Sequence, residues 1–202
     1  MKVVIVYHSG YGHTKVVAEK IAEGAQQSVP EVELVTTAEA IENLDLLTQA
    51  DALVFGSPTY FGTVSAAFKQ FMEATGNIWA KQRWKNKLAA GFTNSSTTNG
   101  DKLNTLTTLS LFAAQHSMIW IPLGILPQHD HDGKQLAEPN GMGSYLGLMT
   151  LSDNAHHQFN PPADLDTAEA FGKRIAEITK QQRTYAGATT KGVYHYHNSF
   201  RF

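Results

Sequence analysis

Contiguous apolar runs alternate along the chain with stretches whose apolar positions recur every three or four residues. Residues 3–7, Val-Val-Ile-Val-Tyr, form a continuous β-branched run, the pattern of a parallel strand buried on both faces. Residues 15–27 then carry Val16, Val17, Ile21, Ala22 and Ala25 at helical spacing. After Pro30, residues 31–36 alternate apolar and polar like an edge strand, and 38–49 read as a weak helix with Ile41, Leu44 and Leu47 inward. A second buried strand is predicted over 51–56, a turn over 57–62, and a helix over 63–75 with Val64, Phe68, Phe71 and Met72 on one stripe. A basic and aromatic stretch, 77–87, leads to a third core strand at 88–93, a polar loop at 94–100 and a helix from 101 to about 116. A fourth core strand is expected at 118–123. Residues 124–162 are rich in Gly, Pro and His with little periodicity, too long for an ordinary connection. The final amphipathic helix, 164–181, presents Leu165, Phe171, Ile175 and Ile178 and is capped by Asp164 or Asp166.

This alternation predicts an α/β fold with a parallel sheet and right-handed crossovers. Ligands of such sheets sit beyond the carboxyl ends of the strands, where the strand order reverses. Three loops of unusual composition follow three core strands: 9–14, 57–62 and 94–100. Their expected convergence on one edge points to a binding site there.

The first loop is Ser9-Gly10-Tyr11-Gly12-His13-Thr14. Its glycines let backbone amides turn outward, its hydroxyls can donate, and it precedes the positive end of a helix, which together suit an anion. It lacks the Gly-Lys-Ser/Thr ending that reaches a β- or γ-phosphate, and it lacks the G-x-G-x-x-G spacing that brings backbone close to a pyrophosphate. Uncharged donors without an obligatory lysine suit a single phosphate, such as that of flavin mononucleotide (FMN). A plain strand-to-helix connection would also use Ser and Gly here. The second loop, Ser57-Pro58-Thr59-Tyr60-Phe61-Gly62, joins a fixed proline to two aromatics that can flank a flat heteroaromatic ring. A structural turn capped by Tyr60 and Phe61 is the other reading. The third, Asn94-Ser95-Ser96-Thr97-Thr98-Asn99, offers hydrogen-bonding groups for ring atoms or ribityl hydroxyls, or stands as a solvated loop.

Composition narrows the classes. With 202 residues the length fits one domain, and 16 basic against 18 acidic residues give no global field for nucleic acid or an anionic membrane. The absence of cysteine excludes disulfides, thiolate catalysis and Cys-ligated metal sites. No leader pattern precedes the first strand and no apolar run reaches about 18 residues, so a soluble cytoplasmic protein is expected. The alternating His129-Asp130-His131-Asp132 and the pair His156-His157 have ligand-type side chains. In a loop such alternation diverges, so no metal is expected. The cluster Lys81, Arg83, Lys85 and Lys87 reads as a solvated loop or as an attractor for dinucleotide phosphates.

Four motifs then carry a family resemblance: Y-H-S-G-Y-G-H-T at 7–14, F-G-S-P-T-Y-F-G at 55–62, A-T-G-N-I-W at 74–79 and A-Q-H-S-M at 114–118. The chain resembles the tryptophan-repressor-binding protein family of flavodoxin-like NAD(P)H:quinone oxidoreductases over residues 1–123, and only loosely beyond. The resemblance implies a three-layer sandwich around a five-stranded parallel sheet of order 2-1-3-4-5, with FMN bound non-covalently. It implies a flavodoxin-like domain over 1–181 and an extension, 182–202, packed on that domain or on a neighbouring subunit. It assigns the phosphate to Ser9, Gly10, Tyr11, Gly12, His13 and Thr14, and the isoalloxazine to Pro58, Thr59, Tyr60, Phe61 and Gly62. Further flavin contacts come from Asn94, Ser95, Ser96, Thr97, Thr98 and Asn99. Tyr11 matches a position that contacts the nicotinamide cofactor, NADH or NADPH, and Trp79 one that lines the substrate side. The implied partners are a quinone-like acceptor and further copies of the chain, in a tetramer or a dimer whose neighbouring subunits complete each site, with no nucleic acid or membrane.

Departures accompany the match. The family's third loop is Gly-rich, whereas this one carries side chains, and an insertion common after the second strand is missing. The family's paired histidines become Gln115-His116, so Gln115 replaces the flavin-contacting one. His116 remains a candidate for a proton or hydrogen-bond role, against a capping or core role, and no other catalytic residue is assigned. Two rival classes stand beside the enzyme. A one-electron carrier docks on proteins through charge fields, which a near-neutral chain does not favour. A non-catalytic flavin-binding module is the other. The aromatic-rich tail, 183–202, is expected to be held by a neighbouring subunit.

Overall fold

The computed structural model describes residues 1–134, 136, 139–152 and 160–189. The paired histidines at 156–157 and the tail beyond 189 lie outside the described residues. The elements in chain order are β1 (Lys2–Tyr7), α1 (His13–Gln26), β2 (Glu31–Thr36), α2 (Thr37–Glu42), α3 (Leu44–Gln49), β3 (Ala52–Tyr60), β4 (Thr63–Val64), α4 (Ala66–Ala74), α5 (Gly76–Ala80), β5 (Leu88–Ser95), α6 (Lys102–Gln115), β6 (Ile119–Trp120), β7 (Leu148–Leu151) and α7 (Pro162–Thr189).

The sheet runs β2-β1-β3-β5-β6, with every neighbouring pair parallel. Counted by position, this is the expected order 2-1-3-4-5. The fifth position is split: β6 pairs with the start of β5, and β7 pairs with its end, Phe92 to Leu148 through Ser95 to Leu151. The single strand expected at 118–123 therefore reduces to two ladder residues. Pro122, which has no N–H to donate, lies just beyond them, and the chain re-enters the sheet at Leu148. β4 is a further strand, antiparallel to β3.

Both faces of the sheet are covered, which is why its central strands begin as apolar runs and turn polar only toward their carboxyl ends. Val3, Ile5, Tyr7, Val54 and Phe92 pack with Ile21, Ala25, Phe171 and Ile175 of α1 and α7. Val4, Val6, Leu53 and Phe55 pack on the opposite face with Phe68, Phe71, Trp84, Leu109 and Phe112. α1 and α7 cross with almost no gap: a Cβ on Gly24 would stand 2.0 Å from the Glu169 carbonyl oxygen, and one on Gly172 2.0 Å from that of Ile21.

Other expectations change in detail. The helix expected over 38–49 is broken at Asn43 (φ −137°, ψ 67°), whose side chain accepts from the Leu46 amide and so begins α3. The turn expected over 57–62 is mostly strand: β3 continues through Tyr60, and Phe61 (φ 49°) with Gly62 (φ 82°) makes a two-residue hairpin turn into β4. Two successive left-handed residues match the right-handed twist of the flanking strands. Val64 thus belongs to β4, and the helix starts after Ser65, whose hydroxyl accepts from the Phe68 amide at 3.2 Å. In the basic stretch Trp84 is buried, Arg83 pairs with Asp45 at 3.0 Å, and Lys87 donates to the Ala50 carbonyl. α7 passes residue 181 without a break.

Candidate functional site

Parallel register brings the carboxyl ends of β1, β3 and β5 side by side, with Tyr7 against Gly56, Gly56 against Phe92 and Pro58 against Asn94. Loop 9–14, the β3–β4 hairpin and loop 94–100 therefore share one edge. Ser9 to Thr14, Pro58 to Gly62 and Asn94 to Asn99 come together there.

The first loop ends on Gly12, which caps α1 in the left-handed region (φ 93°, ψ −25°) without a side-chain hydrogen bond to the helix start. Such a backbone favours glycine. Ser9 Oγ accepts from the Lys15 amide at 3.2 Å. Among the described residues, the amides of Gly10, Tyr11 and Gly12 reach no backbone carbonyl. Amides without a backbone partner at the positive end of a 14-residue helix are the kind of donors that suit an anion. His13 and Thr14 are buried, and Thr14 Oγ1 lies 2.7 Å from Asn94 Oδ1, tying the first loop to the third. With the Asn94 amide turned over, its NH2 donates to Thr14 instead, which leaves the hydroxyl hydrogen for an anion.

The hairpin forms an aromatic rim. The Tyr60 ring stands edge-on to Tyr11, centroids 6.4 Å apart at 74°. A Cβ on Gly10 would approach the Tyr60 hydroxyl to 2.8 Å, so glycine admits this close approach. Tyr11 and Phe61 stand out into solvent. Beneath the rim, Thr59 Oγ1 meets Thr93 and Thr105 Oγ1, both at 2.8 Å, and the Gly62 carbonyl accepts from Asn104 Nδ2 at 2.7 Å. The hairpin is thus fastened to β5 and α6, while its aromatic tip stays open.

In the third loop Asn94 and Ser95 still belong to β5, and Ser96, Thr97, Thr98 and Asn99 are exposed. Below them lies a residue that sequence reading passed over: Lys102, fully buried, donates to Ser95 Oγ at 3.1 Å and to the Thr97 carbonyl at 2.7 Å. A lone lysine opening a helix reads as solvated, and no local pattern marks it otherwise.

Trp79, Gln115 and His116 lie elsewhere in the chain. α6 starts beside the third loop and runs 14 residues to Gln115, a rise of roughly 21 Å. Together with Met72, Thr75 and Leu111 these three line a cleft of about 380 Å³ beside α4 and α5. Gln115 and His116 thus stand at the opposite end of α6 from the third loop, whereas Thr108, which also lines the cleft, meets Thr63 just after the hairpin turn at 3.2 Å. His116 is buried against Trp84, ring centroids 4.5 Å apart. Thr75 donates to the Met72 carbonyl, so the 3.0 Å contact to His116 Nε2 has the imidazole as donor, and Nδ1 has no partner. Burial lowers its pKa to about 4, which keeps the ring neutral at physiological pH.

Among the described residues no three His, Asp or Glu side chains gather to hold a metal. Asp130 Oδ1 instead accepts the amides of Asp132 and Lys134 in a local turn. No described helix is long and apolar enough to cross a membrane.

Known proteins place the chain among relatives. A family model described as a flavodoxin domain matches residues 4–119. "Flavodoxin FldP" of Pseudomonas aeruginosa is 40% identical over 181 residues, covering 89% of this chain and 97% of that one. An "NAD(P)H dehydrogenase (quinone)" of Solidesulfovibrio magneticus is 32% identical over 206 residues, 91% of this chain and all of its own length. The solved structure of a flavodoxin, WrbA-like protein from Agrobacterium tumefaciens superposes with a TM-score of 0.70 at 36% identity, covering 89% of this chain and 98% of that one.

Proposed function

The chain belongs to the flavodoxin family, and on that premise we propose that it is an FMN-dependent oxidoreductase passing two electrons from NADH or NADPH to a quinone-like acceptor. The observation that carries this reading is the shared edge: an uncapped helix start with unpaired amides, an exposed aromatic rim and a polar loop. Relatives named NAD(P)H dehydrogenase (quinone), and a quinone-oxidoreductase QR2 of Triphysaria versicolor at 31% identity over 89% of this chain, support the choice of reaction.

FMN would supply the redox chemistry, taking a hydride from the nicotinamide and passing two electrons on. The chain's own residues bind and orient. Amides of residues 10–14 and the Ser9 and Thr14 hydroxyls hold the phosphate without a lysine or arginine in the loop. Tyr11, Tyr60 and Phe61 flank the ring and exclude water from one side. Asn94 to Asn99 donate to its polar edge, and such donors stabilise the charge that reduction adds. Trp79, Gln115 and His116, which line one cleft, serve a neighbouring copy in a homo-oligomer, where Trp79 lines the substrate side. A cytoplasmic location accompanies this reading.

Because NAD(P)H and the acceptor use the same open ring face in turn, double-displacement kinetics are expected. Initial-rate plots against NADH or NADPH at several benzoquinone concentrations run parallel; intersecting lines contradict a shared face. The relative named "Flavodoxin FldP" favours a second reading, a carrier that exchanges electrons with proteins. The same assay decides: a carrier barely turns over quinone.

A further inference from the structure

Lys102 is the one fully buried lysine among the described residues, and the proposed chemistry does not yet use it. Its Nζ donates to Ser95 Oγ and to the Thr97 carbonyl, both in the third loop. Asp164 at the start of α7 is also buried, and its Oδ2 accepts from the Leu151 amide at 2.7 Å. Leu151 pairs with Ser95 in the β5–β7 ladder, and the Ser152 amide donates to the Ser95 carbonyl at 3.1 Å. A buried cation and a buried anion thus bracket the root of one loop. Taking each charge out of water is costly, and neither is required to fill a core.

We propose that Lys102 is a positioning residue whose charge, delivered behind the third loop, favours the reduced over the oxidised state of the bound flavin, with Asp164 as its counterweight. This rests on the reading that the third loop faces the flavin. Burial draws the Lys102 pKa down to about 8, with Asp164 opposing the shift, so the ammonium remains mostly charged at pH 7. In a dry interior such a charge acts over more than one contact length. Reduction adds negative charge to the ring, so a cation behind the loop stabilises the product of reduction more than its starting state.

The test measures dissociation constants for oxidised and for dithionite-reduced FMN in the parent, Lys102→Met and Asp164→Asn, together with the midpoint potential by spectroelectrochemical titration. Lys102→Met weakens reduced FMN about tenfold more than oxidised FMN, a fall of about 30 mV in the two-electron potential. Asp164→Asn moves the potential upward, because Asn still accepts from the Leu151 amide but carries no charge. Equal weakening of both forms with an unchanged potential makes Lys102 a brace only and overturns the proposal, as do shifts of the same sign in both variants. If Lys102→Met does not fold, Asp164→Asn decides alone: an unchanged or lowered potential overturns it. A parent that takes up no FMN defeats the flavin reading itself, whereas a parent that binds FMN with variants that leave the potential unmoved defeats this inference alone.

Discussion

Replacing Thr14 with valine weakens FMN binding about 10- to 100-fold while the chain still folds. Valine keeps the shape of the buried side chain and removes only the hydroxyl. A hydrogen bond to a charged group contributes about 1.5–3 kcal/mol, which corresponds to that range of affinity. The substitution also strands Asn94, a buried side chain whose amide meets Thr14 at 2.7 Å, and so loosens the join between the first and third loops. Fluorescence titration of FMN into the parent and the variant reads the change. An affinity within twofold of the parent would show that the hydroxyl does not face the phosphate. The exposed Thr107, altered to alanine in parallel, is expected to leave the affinity unchanged.

Alanine at Gly24 or Gly172 destabilises the fold by about 3 kcal/mol, at the upper end for overpacking. For a domain of this size that lowers Tm by roughly 6–12 °C. Helix propensity alone predicts the opposite sign, since alanine within a helix is favoured over glycine by about 1 kcal/mol. The crossing of α1 on α7 decides. Each added methyl meets a carbonyl oxygen of the facing backbone at 2.0 Å, and a helix backbone cannot swing aside as a side-chain tip can. Scanning calorimetry of the two variants checks the sign directly, and a raised Tm would show that α1 and α7 do not cross so closely.

Elements whose cause lies in their own residues were legible. β1 and the opening halves of β3 and β5 are contiguous apolar runs because helices cover both faces, and their order follows from strands alternating with helices. The loops that follow those strands were legible as a site for the same reason. Where the cause lies elsewhere in the chain, reading stopped short. Pro58 and Gly62 signal a turn, yet pairing of Thr59 with Val64 and Tyr60 with Thr63 extends β3 and leaves the turn to Phe61 and Gly62. Phenylalanine at a left-handed turn position is not a residue that pattern anticipates. The division of the fifth strand position depends on Leu148–Leu151, which docks on β5 from a stretch with no periodicity of its own. Asn43 breaks a helix that its apolar spacing would have continued.

The motif around Trp79 and the Gln115-His116 pair are legible by resemblance alone, and α6 carries Gln115 to the end opposite the third loop of its own chain. Lys102 is illegible for another reason: its partners, Ser95 and the Thr97 carbonyl, are set by how the third loop folds back on the start of α6, which no local pattern marks.

The proposed function requires a monophosphate to be held by uncharged groups where β1 passes into α1. Calorimetric titration of the unliganded chain with FMN and, separately, with riboflavin tests this most directly. FMN binding at one site per chain and riboflavin, which lacks the phosphate, binding at least tenfold more weakly is the predicted result. Equal affinity for the two, or no uptake of FMN, would contradict it.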